Sequence, residues 1–186
     1  MRKALFFFGT LDDSDVEFML SAGRRRDLNN GETLIREGQP IEDLFLVVDG
    51  TLSVRVAALQ NREVARAMAG ELLGEISFVD SRPPSASVVA VERTTVLAVP
   101  RDRLTNRLET DAWFAARFYR ALAVFLADRL RTTTASQIAL GKTQVTKKDI
   151  EDRDELDLDV LEDVSLASTR FDRLQRRVRG LAAGSA

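Results

Sequence analysis

Residues 70–90 read GELLGEISFVDSRPPSASVVA. Two glycines four apart, Gly70 and Gly74, mark points where the backbone turns or is closely approached. Glu75 follows, then an apolar trio (Ile76, Phe78, Val79) and the breaker cluster Asp80-Ser81-Arg82-Pro83-Pro84. The small run Ser85-Ala86-Ser87 comes before a β-branched strand at Val88-Val89. A glycine leading into a short helix is a common means of aiming backbone N–H groups at an anion. Small side chains ahead of a strand leave room for something that is not protein. By its residues alone the stretch is either an anion cradle with one carboxylate beside it or a plain connector between two strands.

From Leu28 to Pro100 the chain around this stretch reads as β. Short apolar runs lie at 33–35, 44–48, 52–56, 63–67, 87–90 and 95–99. Turn signals part them: Asn29-Asn30-Gly31, Glu37-Gly38-Gln39-Pro40, Asp49-Gly50 and Gln60-Asn61. The runs at 52–56 and 63–67 alternate apolar with polar, as strands with one face on a core do. Asp49-Gly50 between two runs predicts a hairpin. Six to eight short antiparallel strands with regular turns predict a mainly β fold, a sandwich or jelly-roll, with flanking helices.

On the N-terminal side, Ala4 to Phe8 reads as a core anchor. Residues 11–21 predict a short helix capped by Asp12, Asp13 or Ser14 and ended by Gly23. Arg24-Arg25-Arg26 is read as a solvated strand edge with one side chain turned inward. Beyond Pro100 the pattern turns helical, with a short helix at 101–108 and a longer one at 112–131 capped by Asp111. Phe114, Phe118, Leu122, Phe125, Leu126 and Leu130 form its wide apolar stripe. The stripe looks broader than one contact with the roll requires, which predicts a homodimer through 112–131.

Two units are expected: 1–135, comprising the β region and its helices, and 136–186, a tail standing apart from it. The tail is acidic between Asp149 and Asp163. It is basic from Thr169 to Arg179, where Phe171, Leu174, Val178 and Leu181 share one helical face. Folding back, disorder and docking on an unknown partner protein all remain open for it.

The chain has no cysteine and no histidine, which removes thiol nucleophiles, disulfides, imidazole chemistry and the usual zinc sites. Its net charge of −2 supplies no field to gather nucleic acid or anionic lipid. No run of about 18 apolar residues reads as a membrane span. The five-residue patch Ala4–Phe8 is too short for a signal peptide's apolar core, so a cytoplasmic location is expected. No enzyme activity, cofactor, metal, DNA or membrane partner is expected.

The 70–90 stretch resembles the phosphate-binding cassette of the cyclic-nucleotide-binding domain family. Gly74-Glu75 match its start and Ser85-Ala86 its end. The glycine landmarks Gly31-Glu32, Glu37-Gly38 and Asp49-Gly50 carry the resemblance over roughly residues 10–135. The resemblance implies an eight-stranded jelly roll with flanking helices and a ligand of cyclic AMP or cyclic GMP. It further implies that Glu75 accepts from a ribose 2′-hydroxyl. Gly74 and the helix start, Ile76 and Ser77, would bring backbone N–H groups to a ring phosphate, with Ser85 and Ala86 adding donors.

Where the family has its phosphate-binding arginine, this chain has Pro84, which brings neither charge nor N–H. A charge-assisted hydrogen bond is worth about 1.5–3 kcal/mol, so its loss weakens a phosphate ligand by roughly 10- to 150-fold. Arg82 is the cation of the loop, two residues earlier. Three outcomes follow: weak or altered cyclic-nucleotide binding, a different ligand, or a ligand-free interaction module on the same fold.

Overall fold

A computed structural model describes residues 7–141 and 158–181 of the chain. Eight antiparallel strands form two four-stranded sheets that roll over one another. The first sheet, in the order β1-β8-β3-β6, holds β1 (Arg24–Leu28), β3 (Asp43–Asp49), β6 (Leu72–Leu73) and β8 (Thr94–Pro100). The second, β2-β7-β4-β5, holds β2 (Thr33–Ile35), β4 (Thr51–Val56), β5 (Arg62–Met68) and β7 (Ser87–Ala90). The jelly-roll expectation is met.

The unbroken apolar run of β3 has a simple cause. Leu44, Leu46 and Val48 face a helical layer, while Phe45 and Val47 face the interior of the roll. Its neighbour β8 divides in the same way, with Leu97 and Val99 outward and Val96 and Ala98 inward. A sheet covered on both faces has no reason to alternate. In the second sheet β5 is an edge strand and only Ala67 of its seven residues is buried. The one-face-on-the-core reading of 63–67 was too generous.

Asp49-Gly50 is not a hairpin. β3 and β4 belong to different sheets, and the pair forms the corner where the chain passes from one to the other. Gly50 has φ +87°, and a Cβ there would meet Thr94 Oγ1 at 2.5 Å and Arg93 O at 2.7 Å. The corner therefore needs glycine for both conformation and space. A sequence shows the turn but not which strand the returning chain will pair with. The local hairpin is β4–β5, closed over a 3₁₀ turn at Ala57–Leu59 and the left-handed pair Gln60 and Asn61.

Helices flank the roll. α1 (Asp13–Ala22) is capped by Asp12 through a capping box with Asp15. α2 (Glu75–Asp80) lies within the 70–90 stretch; α3 (Arg101–Thr110) and α4 (Ala112–Gly141) follow β8. α5 is Leu158–Gly180. Asp111 caps α4 as expected, its Oδ1 accepting from the N–H groups of Trp113 (3.1 Å) and Phe114 (3.0 Å). Of the arginine triplet, Arg24 pairs with Asp43 at 2.6 Å on the exposed edge. Arg25 is half-buried and donates to Arg179 O at 2.8 Å.

Most of the α4 stripe is used inside the chain: Phe114, Phe118, Leu122 and Phe125 are buried and Leu126 partly so, while Leu130 is exposed. Phe118 meets the rings of Phe7 and Phe78 edge-on at 5.9 Å, and Phe114 meets Phe18 at 5.4 Å. The excess width assigned to a second copy is filled by aromatic partners far away in sequence.

The boundary expected at 135/136 falls within α4. α4 runs unbroken to Gly141, and α5 folds back onto the domain. Ala167, Phe171, Leu174 and Val178 enter the same core as α1 and β3, while Arg170 pairs with Asp13 at 2.7 Å and Gln175 donates to Val48 O at 2.6 Å. Folding back is thus the alternative taken over 158–181. Residues 149–157, most of the acidic stretch, lie outside the described residues.

Candidate functional site

The 70–90 stretch forms the rim of a cavity of about 250 Å³ opening between the second sheet and the start of α2. Its apolar floor comes from Ile35, Val54, Leu73 and Val88. All eight residues expected at the site line it: Gly74, Glu75, Ile76, Ser77, Arg82, Pro84, Ser85 and Ala86. They do not contribute alike. Glu75 and Ser77 are buried, Ala86 and Pro84 half-buried, and Ile76, Arg82 and Ser85 sit on the exposed rim.

The turn into α2 depends on Gly74. Its φ is +84°, and a Cβ there would strike Ile41 Cδ1 at 2.6 Å. That conformation places Glu75 as the first helical residue, pointing inward and only 2% exposed. Behind the cavity, Arg101 fixes the other end of α2: it donates to Ser77 O (2.8 Å), Phe78 O (3.1 Å) and Ser81 Oγ (3.2 Å). Its guanidinium also stands over the Phe78 ring at 5.2 Å.

The loop is pinned on its far side too. Pro84 O accepts from the Gly38 N–H at 2.8 Å, and Ser87 Oγ accepts from the Glu37 N–H at 3.0 Å. Pro84 thus keeps the backbone tie of its position while lacking a cationic side chain. Ser87 turns to the β2–β3 turn and does not line the cavity.

One lining residue was missed by sequence reading. Arg129, from α4, enters the cavity wall and forms an ion pair with Glu75 through its Nη1. Burial holds the Glu75 carboxyl above the usual carboxylate range, and the Arg129 charge pulls in the opposite direction. A signal was available: positions 118, 122, 125 and 129 share one helical face, so Arg129 is a charge on the inward stripe. Arg82 is different. Its side chain is 84% exposed and lies near Asp80, which also accepts from the Arg82 N–H at 3.0 Å.

Chemically, the cavity offers a buried carboxylate acceptor, a guanidinium, serine hydroxyls and an apolar floor. That combination suits a small polar ligand carrying both a hydroxyl and a negative charge. Among the described residues no group of three or more acidic side chains could hold a metal ion.

The family model described as "Cyclic nucleotide-binding domain" matches residues 25–111, which takes in the roll and the whole rim of this cavity. Residues 25–111 belong to the cyclic nucleotide-binding domain family. The cyclic AMP receptor protein of Thermus thermophilus is 35% identical over 136 residues, which is 70% of this chain and 59% of that protein. The crystal structure of the Thermus thermophilus catabolite activator protein superposes with a TM-score of 0.59 at 26% identity, covering 94% of this chain and 85% of that one. A cyclic nucleotide-binding domain from Methylobacillus flagellatus gives a TM-score of 0.66 at 23% identity over 78% of this chain and 85% of that chain. This last likeness speaks for the fold alone. The chain spans about half the length of the curated relatives it matches. Among the described residues, only α5 follows the long helix after this cyclic nucleotide-binding domain.

Proposed function

We propose that this protein is a cytoplasmic, non-catalytic regulator. Its cavity takes a cyclic nucleotide, cyclic AMP or cyclic GMP, and α4 relays occupancy to a partner protein. The observation that carries the reading is the inward-facing Glu75, almost wholly buried at the mouth of α2 and tied by Arg129 to the long helix. A ligand hydroxyl that reaches Glu75 engages a residue already joined to α4. Ligand entry and α4 position are then parts of one network.

A second copy, in this reading, meets the outer face of α4, where Trp113 is 78% exposed and Leu130 is also exposed. With Ala116, Arg120, Ala123 and Ala127 these residues follow a spacing of three and four. No DNA or membrane contact belongs to the proposal.

Calorimetric titration of the full chain with cyclic AMP and cyclic GMP is the test. Saturable binding of either in the micromolar to millimolar range is expected, weak for the family because Pro84 replaces a cation. The ligand-free interaction module is the rival reading. Pro84 favours it, and so does the pairing of Glu75 within the chain. The absence of heat with both nucleotides at millimolar concentration would establish that rival.

A further inference from the structure

α5 is fastened to two different parts of the molecule. Along one side it holds α1 and the residue Phe8 ahead of it: Arg170 pairs with Asp13 at 2.7 Å and donates to Phe8 O at 3.2 Å, and Arg177 pairs with Glu17. Along the other it holds the first sheet. Gln175 donates to Val48 O of β3 at 2.6 Å, and Arg25 of β1 donates to Arg179 O and Leu181 O at 2.8 and 3.3 Å. Between the two sides Phe171, Leu174 and Val178 enter the core.

α1 is in turn locked to α4. Arg117 makes bonds of 2.6 and 2.9 Å to the fully buried Asp15 carboxylate and another of 2.9 Å to Asp12. Parting a buried pair leaves a buried charge without its mate, which is strongly unfavourable. The ties from α5 to α1 are weaker, since the Arg177 and Glu17 side chains are 51% and 44% exposed. A displacement of α4 against the roll therefore carries α1 with it. The strain falls on α5, which cannot follow α1 and also keep its place on the sheet. The same α4 reaches the cavity at the Glu75–Arg129 pair, about 18 Å further along its axis than Arg117.

We infer that α5 is a strap across the joint between α1 and the first sheet, and that a ligand seated on Glu75 loosens it. The inference rests on the reading of the cavity as a cyclic-nucleotide site and adds the element that answers when the site is filled. A ligand hydroxyl on Glu75 acts on a carboxylate tied to α4; α4 shifts, α1 follows, and the exposed pairs at Asp13 and Glu17 give way first. The strap lies outside residues 25–111, the part matched to the family. Linkage makes the effect reciprocal: a ligand that loosens α5 binds more tightly to a chain whose α5 is already loose.

Hydrogen exchange read by mass spectrometry on the full chain is the test, free and saturated with cyclic AMP or cyclic GMP, with calorimetry giving the affinity of each. The amides of 166–181 are expected to exchange about 3- to 10-fold faster in the bound chain, as the loss of two exposed ion pairs allows, while those of β8 hold steady. In Arg170→Gln/Arg177→Gln, α5 is expected to exchange fast without ligand and to respond little to it. The same variant is expected to bind the nucleotide about 3- to 10-fold more tightly, a gain that a purely structural part for α5 does not produce. Should the double variant fold poorly, Glu17→Gln at an exposed position weakens the same ties and is expected to move both readings the same way by less. Exchange in α5 that is unchanged or slower in the saturated wild type overturns the inference and leaves the site reading intact, as does unchanged affinity in a variant whose α5 has loosened. A wild type that binds neither nucleotide overturns the site reading, and this inference with it.

Discussion

Replacing Phe171 by alanine tests whether α5 is a structural part of the domain. Phe171 is 4% exposed and its ring lies 5.4 Å from that of Phe8, which is itself fully buried. Truncating a buried phenylalanine costs about 3–5 kcal/mol in lost transfer energy and residual cavity. For a chain of this length each kcal/mol moves the melting temperature by about 2–4 °C. The variant is therefore expected to melt about 6–20 °C below the wild type, followed by circular dichroism at 222 nm and by scanning calorimetry. Leu166→Ala is the control on the same helix: that side chain is 53% exposed, and its loss is expected to cost no more than about 0.5 kcal/mol. If α5 releases before the roll melts, the calorimetric trace of Phe171→Ala should split, with the early transition carrying the loss. A single transition within 2 °C of the wild type would refute the reasoning, because α5 would then be dispensable.

Arg117 holds Asp15 through two bonds, Nε to Oδ2 at 2.6 Å and Nη2 to Oδ1 at 2.9 Å, and the Asp15 carboxylate is fully buried. Arg117→Ala is expected to destabilise the chain by about 3 kcal/mol, seen as a fall of about 6–12 °C in thermal melts; a fall under 2 °C contradicts it. The Asp111 carboxyl is held below its usual range by the Phe114 N–H, with Arg107 helping and partial burial opposing. Its stabilising charge is fully present above the unfolded value near pH 4 and is lost as pH falls through the lower folded value. Asp111→Asn, which keeps an acceptor for the cap, should show a shallower decline of melting temperature below about pH 4. Parallel acid limbs for the two proteins would rule this out.

The roll was legible because its signals are local. Turn residues recur at regular spacing, and β3 and β8 are short apolar runs that only a strand buried on both faces would carry. The cavity rim was legible for the same reason: Gly74, Glu75 and the Ser85-Ala86 pair lie within one short stretch. What escaped was long-range. Nothing near Asp49-Gly50 says that β4 leaves its neighbour to join the other sheet. Nothing near Phe118 says that Phe7 and Phe78 will cover it. The place of the basic face of α5 stays open in the sequence because its partners, Asp13 and Glu17, are some 160 residues earlier. Arg129 was hidden by its position on a helix whose hydrophobic residues drew the attention.

The contact between Phe8 and Phe171 joins residues 163 apart in sequence, and Gln175 reaches back to Val48. Contacts of that span come late in folding, since the loop they close is long and its entropy is lost before the contact is made. During synthesis the strands, α1 and most of α4 leave the ribosome before any of α5 does. For that interval Phe8 and the outer face of β3 lack part of their cover. A nascent or truncated chain that lacks residues 166–181 therefore presents a greasy patch to its surroundings, the kind that chaperones hold and that drives aggregation when they do not. α5, which emerges after the roll it covers, is the helix that removes that hazard.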